Sequence, residues 1–239
     1  MALIEMRGVT RRYERGGEVL TVLDRLDLDI PQGDFVALMG PSGSGKSTIL
    51  NLVGALDAPD EGTIVVGGTE ITAMSPAELP AWRARHIGFI FQAFNLVPVL
   101  TALENVLLPL ALTPLSRAQR RAQAEYALEV VGLSDRLHHR PRQLSGGQEQ
   151  RVAIARALAT DPEIILADEP TGDLDRDSAN SIMDLLRALN DQLGKTLLVV
   201  THDPVAAERA RRSLHLDKGA LLPAAGHSAA PAPAQAPRR

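Results

Sequence analysis

The apolar positions of this chain come in short alternating runs at the start and in helical stripes further on. In "TVLDRLDLDI" apolar residues fall on every second position (Leu26, Leu28, Ile30), and "ALIEMRGV", "FVALM" and "TIVVGG" are further short runs punctuated by Gly and Pro. Period two with such breaks predicts strands, some of them antiparallel. After Gly45 the spacing changes, with Ile49, Leu50, Val53 and Leu56 along one helical face and Pro59 ending the segment. A strand therefore feeds a glycine loop, which feeds a helix.

Residues 76–159 are mostly helical in period, apart from a short strand, "IGFIFQ". The stretch "SPAELPAWRARH" reads as helix, and "SRAQRRAQAEYALEVVGL" opens on a Ser116-x-x-Gln119 capping pattern and closes at Gly132. In "LSGGQEQRVAIARAL" Ser145 and Gln148 repeat that pattern ahead of the stripe Val152, Ala155, Leu158. Capping explains the serine and the glutamine but not Gly146 and Gly147, since a glycine in a first turn forfeits roughly 0.5–1 kcal/mol relative to alanine. Two all-apolar runs, 164–167 and 197–200, have the length and composition of central strands covered on both faces. No internal repeat is present. The pattern predicts a mixed α/β core carrying an inserted helical subdomain.

Composition narrows this picture. The chain has 239 residues, 45% hydrophobic and 23% charged, with net charge −4. That suffices for a sizeable core, and without a basic stripe nucleic acid is not expected as a partner. With no cysteine, disulfides, thiolate metal sites and cysteine nucleophiles are excluded. "MALIEMRG" has neither a basic nor a long apolar segment, so no signal peptide and a cytosolic location are expected. The most apolar region, residues 95–112, is interrupted by Pro98, Glu104, Asn105 and Pro109, so membrane work would need another chain. Residues 223–239 are Pro/Ala-rich and expected to be disordered, leaving 1–222 as the folded domain.

The chemistry lies at the strand ends. "GPSGSGKST" (Gly40, Pro41, Ser42, Gly43, Ser44, Gly45, Lys46, Ser47, Thr48) matches the phosphate-binding loop, preceded by the strand "FVALM" and followed by a helix. Small residues let backbone N–H groups converge on a phosphate, and the helix beginning near Lys46 adds its positive end. Lys46 would reach the β/γ-phosphates and Ser47 would ligate Mg²⁺. In "IILADEP", Asp168 and Glu169 end a buried strand, where open sheets place ligand crevices. Asp168 would hold Mg²⁺ through water, and Glu169 could take a proton from an attacking water. His202 closes the run "LLVVTHD" at the same edge, as a candidate for the γ-phosphate and that water. Gln92 ends "FIFQ" and could reach Mg²⁺ or the water. Tyr13 could stack on adenine or belong to the core.

The bare glycines now acquire a purpose. A helix N-terminus without side chains lets a polyanion approach its N–H groups, and Ser145 would join them. The chain already has one phosphate cradle, so the second set of binders can serve a nucleotide held by another copy.

"GPSGSGKST", "LSGGQ", "IILADEP" and "VVTHD", in this order with Gln92 between the first two, resemble the ATP-binding cassette of ABC transporters over essentially residues 1–222. The stretches "FQAFNLVPVLTALENV", "QLSGGQEQRVAIARAL" and "DEPTGDLD" are similar to the branch of lipoprotein-release, macrolide-exporter and cell-division ATPases. Glu149 and Asp173 depart from that branch, which often has Gln and Asn there. The resemblance implies a P-loop fold with an antiparallel β-subdomain and a helical subdomain over about 93–160. It also implies ATP and Mg²⁺ as ligands, with Tyr13 stacking on adenine, Gln92 sensing ligand and permease, and Glu169 as base. His202 would be the switch histidine, Asp175 the contact across a homodimer, and Ser145, Gly146, Gly147 and Gln148 the signature acting in trans. A separate transmembrane permease would dock near residues 93–105, holding the cassette on the cytoplasmic face of the inner membrane. Export or lipoprotein extraction is the implied task; the alternative is an ATPase regulating cell-wall hydrolases without transporting anything. Cassettes for DNA repair or translation carry a long coiled coil or a second cassette, and neither is seen.

Overall fold

The computed structural model describes residues 2–222; the tail expected to be disordered lies outside them. The elements, in chain order, are β1 (Ala2–Arg15), β2 (Glu18–Pro31), β3 (Phe35–Met39), α1 (Lys46–Val53), β4 (Glu61–Val66), β5 (Thr69–Glu70), α2 (Leu79–His86), β6 (Ile87–Phe91), α3 (Ala102–Leu110), α4 (Arg117–Val130), α5 (Gly146–Leu158), β7 (Ile164–Asp168), α6 (Arg176–Leu193), β8 (Thr196–Val200), α7 (Pro204–Ala207), β9 (Arg212–Asp217) and β10 (Ala220–Leu222). One antiparallel sheet has the order β2-β1-β4-β5, and a second has the order β10-β9-β3-β8-β7-β6, in which only the β10–β9 pair is antiparallel.

The central strands show why an all-apolar run suits this sheet. Successive side chains point to opposite faces, so Ile164, Leu166, Leu198 and Val200 enter a core shared with α1 and the antiparallel sheet. Ile165, Ala167, Leu197 and Val199 enter a second core with α3, α4, α5 and α6. Both faces are covered, and neither strand can alternate with polar residues. This is the mixed α/β P-loop architecture expected from the sequence.

The capping patterns at Ser116 and Ser145 form as read: each hydroxyl accepts from the backbone N–H three residues on, and each glutamine accepts from the backbone N–H of its cap serine. Two expectations are corrected. The helix after the glycine loop stops at Val53, capped by Gly54, instead of running to Pro59, and Leu56 is 48% exposed instead of on its buried face. Helix α2 starts at Leu79, after a turn in which Glu78 binds back to Ser75 through its N–H and hydroxyl. Helix α6 carries no expectation from the sequence, although Asp175 caps its start and Gly194, in left-handed backbone, closes it. Strands β9 and β10 likewise carry no expectation from the sequence; β9 pairs beside β3, next to the glycine loop.

Candidate nucleotide site

Three parallel strands deliver the candidate site. Strand β8 lies between β3 and β7, and the register sets Asp168 opposite Val200. The loops leaving the three strands therefore open on one edge, where a cleft of about 990 Å³ is lined by the glycine loop, Gln92, Asp168, Glu169 and His202, among others. Of residues 40–48 only Ser44 is not at its wall; its hydroxyl is buried and unpartnered among the described residues.

The loop's shape needs its glycines. Gly40 has φ 153°, and a Cβ there would lie 2.1 Å from the Leu216 carbonyl oxygen, while Gly45 has φ 105° and would press on Leu23 and Val22. Lys46 is buried, and its Nζ donates to the carbonyls of Gly40 and Pro41 at 2.8 and 2.9 Å. The ammonium is thereby held inside the curl, close to the N-terminus of α1.

Ser47 Oγ donates to Asp168 Oδ1 at 3.1 Å. Burial pushes the Asp168 carboxyl above the ordinary range, an effect that the Ser47 hydrogen bond partly offsets. A half-buried carboxylate beside a hydroxyl is a pair of hard oxygen donors, the chemistry that Mg²⁺ takes. Among the described residues no three His, Asp or Glu groups converge to hold a metal, so phosphate oxygens and water would have to complete the shell. The donor set fits a nucleotide-borne Mg²⁺.

Glu169 sits in left-handed backbone at φ 47°, its N–H donating to the Val200 carbonyl at 2.9 Å. Its Oε1 lies 2.9 Å from His202 Nδ1, and Oε2 accepts from the His202 N–H at 3.4 Å. The two residues that the sequence placed at one sheet edge thus bond directly. Gln92 donates to Asp173 Oδ1 at 2.7 Å, so its amide nitrogen is committed to the loop after β7 while the residue still borders the cleft.

The remaining candidates lie elsewhere. Tyr13 does not line the cleft; its hydroxyl donates to Asp57 Oδ2 at 2.8 Å and the Arg11 guanidinium stands 4.6 Å from its ring centre. Its ladder partner Leu20 lines the cleft instead, together with Val22. Asp175 caps α6, accepting from the N–H and hydroxyl of Ser178, which holds its carboxyl below the ordinary range. Ser145, Gly146, Gly147 and Gln148 are not part of the cleft wall. At Gly147 the structure adds a packing reason for glycine, because a Cβ would come within 3.3 Å of Ser178 Cβ.

Sequence reasoning missed the polar side chains that tie these loops together. Gln150 is fully buried and donates to the carbonyls of Pro170 and Phe91. Asn105 is fully buried, accepts from the Val97 N–H and donates to the Thr101 carbonyl. The local sequence gives little signal for either: Gln150 stands among the polar residues Gln148, Glu149 and Arg151, and Asn105 follows Glu104, so only the tertiary packing shows which of these polar groups is buried and needs partners.

Fold and cleft together define a P-loop nucleotide-binding protein, a class in which a strand, a glycine loop and a helix form the phosphate cradle. The ABC transporter family matches residues 23–172, and the chain belongs to that family as an ATP-binding cassette. It is 48% identical over 222 residues to the uncharacterized ABC transporter ATP-binding protein YknY of Bacillus subtilis, spanning 93% of this chain and 96% of that protein. It is 50% identical over 220 residues to the macrolide export ATP-binding/permease protein MacB 1/2 of Paracoccus denitrificans, spanning 92% of this chain but only 33% of that protein. A solved dimer of the ATP-binding cassette MJ0796, in a post-hydrolysis state bound to ADP and Pi, superposes with a TM-score of 0.83 at 46% identity, covering 91% of this chain and 96% of that one. MJ0796 comes from Methanocaldococcus jannaschii.

Proposed function

We propose that this chain binds and hydrolyses ATP as the motor subunit of a transporter, closing head to tail with a second copy and driving a separate membrane permease in export or lipoprotein extraction. One observation carries the reading. Lys46, Ser47, Asp168, Glu169 and His202 border a single cleft, whereas Ser145, Gly146 and Gly147 stand outside it, so the second set of phosphate binders suits a nucleotide held by another copy. The dimeric state of MJ0796 with ADP and Pi and the fused permease named for the MacB relative support it. No helix among the described residues is long and apolar enough to cross a membrane, so in this reading membrane contact, on the cytoplasmic face, is made through the permease.

Each residue then has a task. The loop N–H groups and Lys46 bind the phosphates, while Ser47 and Asp168 hold Mg²⁺. When bound, that ion neutralises charge on the phosphate oxygens. Glu169 accepts the proton of the attacking water. His202 fixes the orientation of the Glu169 carboxylate through the 2.9 Å contact and reaches toward the γ-phosphate. Tyr13 stacks on adenine from the β1–β2 side, Gln92 reports on the permease, and Asp175 contacts the second copy. Taking a dimer from about 1:99 closed to open to 99:1 requires about 5.5 kcal/mol, or under about 3 for each of two ATP molecules. A few charge-assisted hydrogen bonds to the γ-phosphate, at about 1.5–3 kcal/mol each, suffice. Hydrolysis removes them and the dimer reopens.

Phosphate release from Mg·ATP by the purified chain tests the reading. Turnover per protomer should rise with protein concentration as dimers form; turnover independent of concentration would reject the shared site. Pull-down from detergent-solubilised membranes would identify the permease, and recovery of cell-wall-hydrolase regulators with no transport substrate would replace export with regulation.

A further inference from the structure

The segment 92–101 joins the cleft to the helical layer, since it begins at Gln92 on the cleft wall and ends at Thr101, the cap of α3. It is held at three points by side chains. Gln92 donates to Asp173. Asn105 holds the far end by accepting from the Val97 N–H and donating to the Thr101 carbonyl. Between these, Arg156 in the last turn of α5 donates to the carbonyl of Phe94 at 2.8 Å and to that of Asn95.

The middle contact is unusual in two ways. Phe94 and Asn95 are consecutive left-handed residues, at φ 56° and 52°; asparagine tolerates that conformation, but a phenylalanine side chain disfavours it, so at Phe94 the surroundings must impose it. Arg156 itself is half-buried, and burial pulls its guanidinium below the ordinary arginine range. Among the described residues it makes no ion pair, and its recorded hydrogen bonds go to these two carbonyls. A cation withdrawn from water without an acid is costly unless other groups solvate it. Here the two carbonyls of the strained turn do so, which in turn stabilises the turn.

We propose that Arg156 is a positioning residue for the ATPase reaction: its fork fixes the left-handed pair Phe94–Asn95 and thereby sets where Gln92 stands at the cleft. Helix α5 would act through the same grip as a rigid link, because Gln150, about two turns before Arg156, also holds the Phe91 and Pro170 carbonyls, and Gly146 at its start lies near Phe94 and Leu174. A displacement of segment 92–101 is passed to α5 and to the loop after β7 together. The inference rests on the functional reading above for its effect on turnover, but not for the clamp itself.

Hydrogen exchange followed by mass spectrometry on the full chain tests the clamp without nucleotide. In Arg156→Ala the amides of 94–97 should exchange at least about tenfold faster than in the wild type while β6 and the first turns of α5 keep their protection. Arg156→Lys, which retains the charge but not the fork, should fall between them. Asn105→Ala should loosen 97–101 and leave 94–95 protected. Unchanged exchange at 94–97 in Arg156→Ala, or an equal rise throughout α5, would overturn the clamp. Turnover tests its consequence: Arg156→Ala should lower kcat about tenfold with KM for ATP within about twofold, and Arg156→Lys should restore part of kcat. A loosened segment with unchanged kcat would overturn the positioning role. A wild-type chain without ATPase activity would count against the proposed function, with exchange still deciding the clamp.

Discussion

Ser47 Oγ and Asp168 Oδ1 are 3.1 Å apart across 121 positions of sequence. The hydroxyl belongs to the first turn of α1 and the carboxylate to the end of β7, and β8 between β3 and β7 fixes their separation. One sheet edge thus brings the glycine loop, Ser47, Asp168 and Glu169 together, and the substitutions below separate the tasks proposed for them.

Glu169→Gln keeps the shape of the side chain and its reach to His202 while removing the proton acceptor. ATP binding should persist and turnover should fall by about 10²–10⁴-fold, the range a general base supplies. Size exclusion with Mg·ATP should show dimer accumulating. Turnover close to wild type would remove Glu169 as the base.

Lys46→Ala removes the ammonium held by the carbonyls of Gly40 and Pro41. Loss of charge-assisted hydrogen bonds of about 1.5–3 kcal/mol should weaken nucleotide affinity by about 10–100-fold in titration calorimetry. Because Nζ also bonds the Gly40 and Pro41 carbonyls, the melting temperature without nucleotide should fall somewhat as well, so the affinity is measured at a temperature where the variant is fully folded. Undiminished ATP affinity would contradict the assignment of the loop.

Ser145→Arg places a bulky side chain at an exposed helix cap outside the cleft. The monomer should bind nucleotide as before, and ATP-driven dimerisation should be blocked. Collapse of monomer binding would mean that the signature serves its own chain's nucleotide.

Glu149 provides a test in pH. Burial raises its carboxyl above the ordinary glutamate range, so the ionised form is less well tolerated folded than unfolded. That penalty is present above the raised pKa and fades as pH falls through it. Glu149→Gln should therefore raise the melting temperature relative to wild type at about pH 8, with the difference shrinking toward about pH 4.5. A gain constant across that range would show that the carboxyl is not perturbed by folding.

Legibility in the sequence followed the range of the interactions. The caps at Ser116 and Ser145 and the loop 40–48 depend on neighbours within a few residues, and all three form as read. At α1 the apolar stripe predicts a longer helix because Leu56 completes it, yet Gly54 ends the helix and Leu56 faces solvent. At Tyr13 the residues alone leave an adenine platform and a core position open, and the family resemblance implies the platform; the tertiary structure adds that its hydroxyl is tied to Asp57 and that its ladder partner Leu20 borders the cleft. Asn105, Gln150 and Arg156 looked incidental in their helices because their partners are carbonyls supplied largely by other segments.

The sequence by itself determined most of the elements, though not α6, β9 or β10, together with the two covered strands and the chemical inventory at their ends, because periodicity, capping and turn chemistry act over a handful of residues. Only the tertiary structure decided which of those ends face one another. Parallel pairing sets Asp168 beside Val200 and so brings Glu169 to His202, and such long-range register is fixed by the packing of both faces of a sheet, which no local window contains.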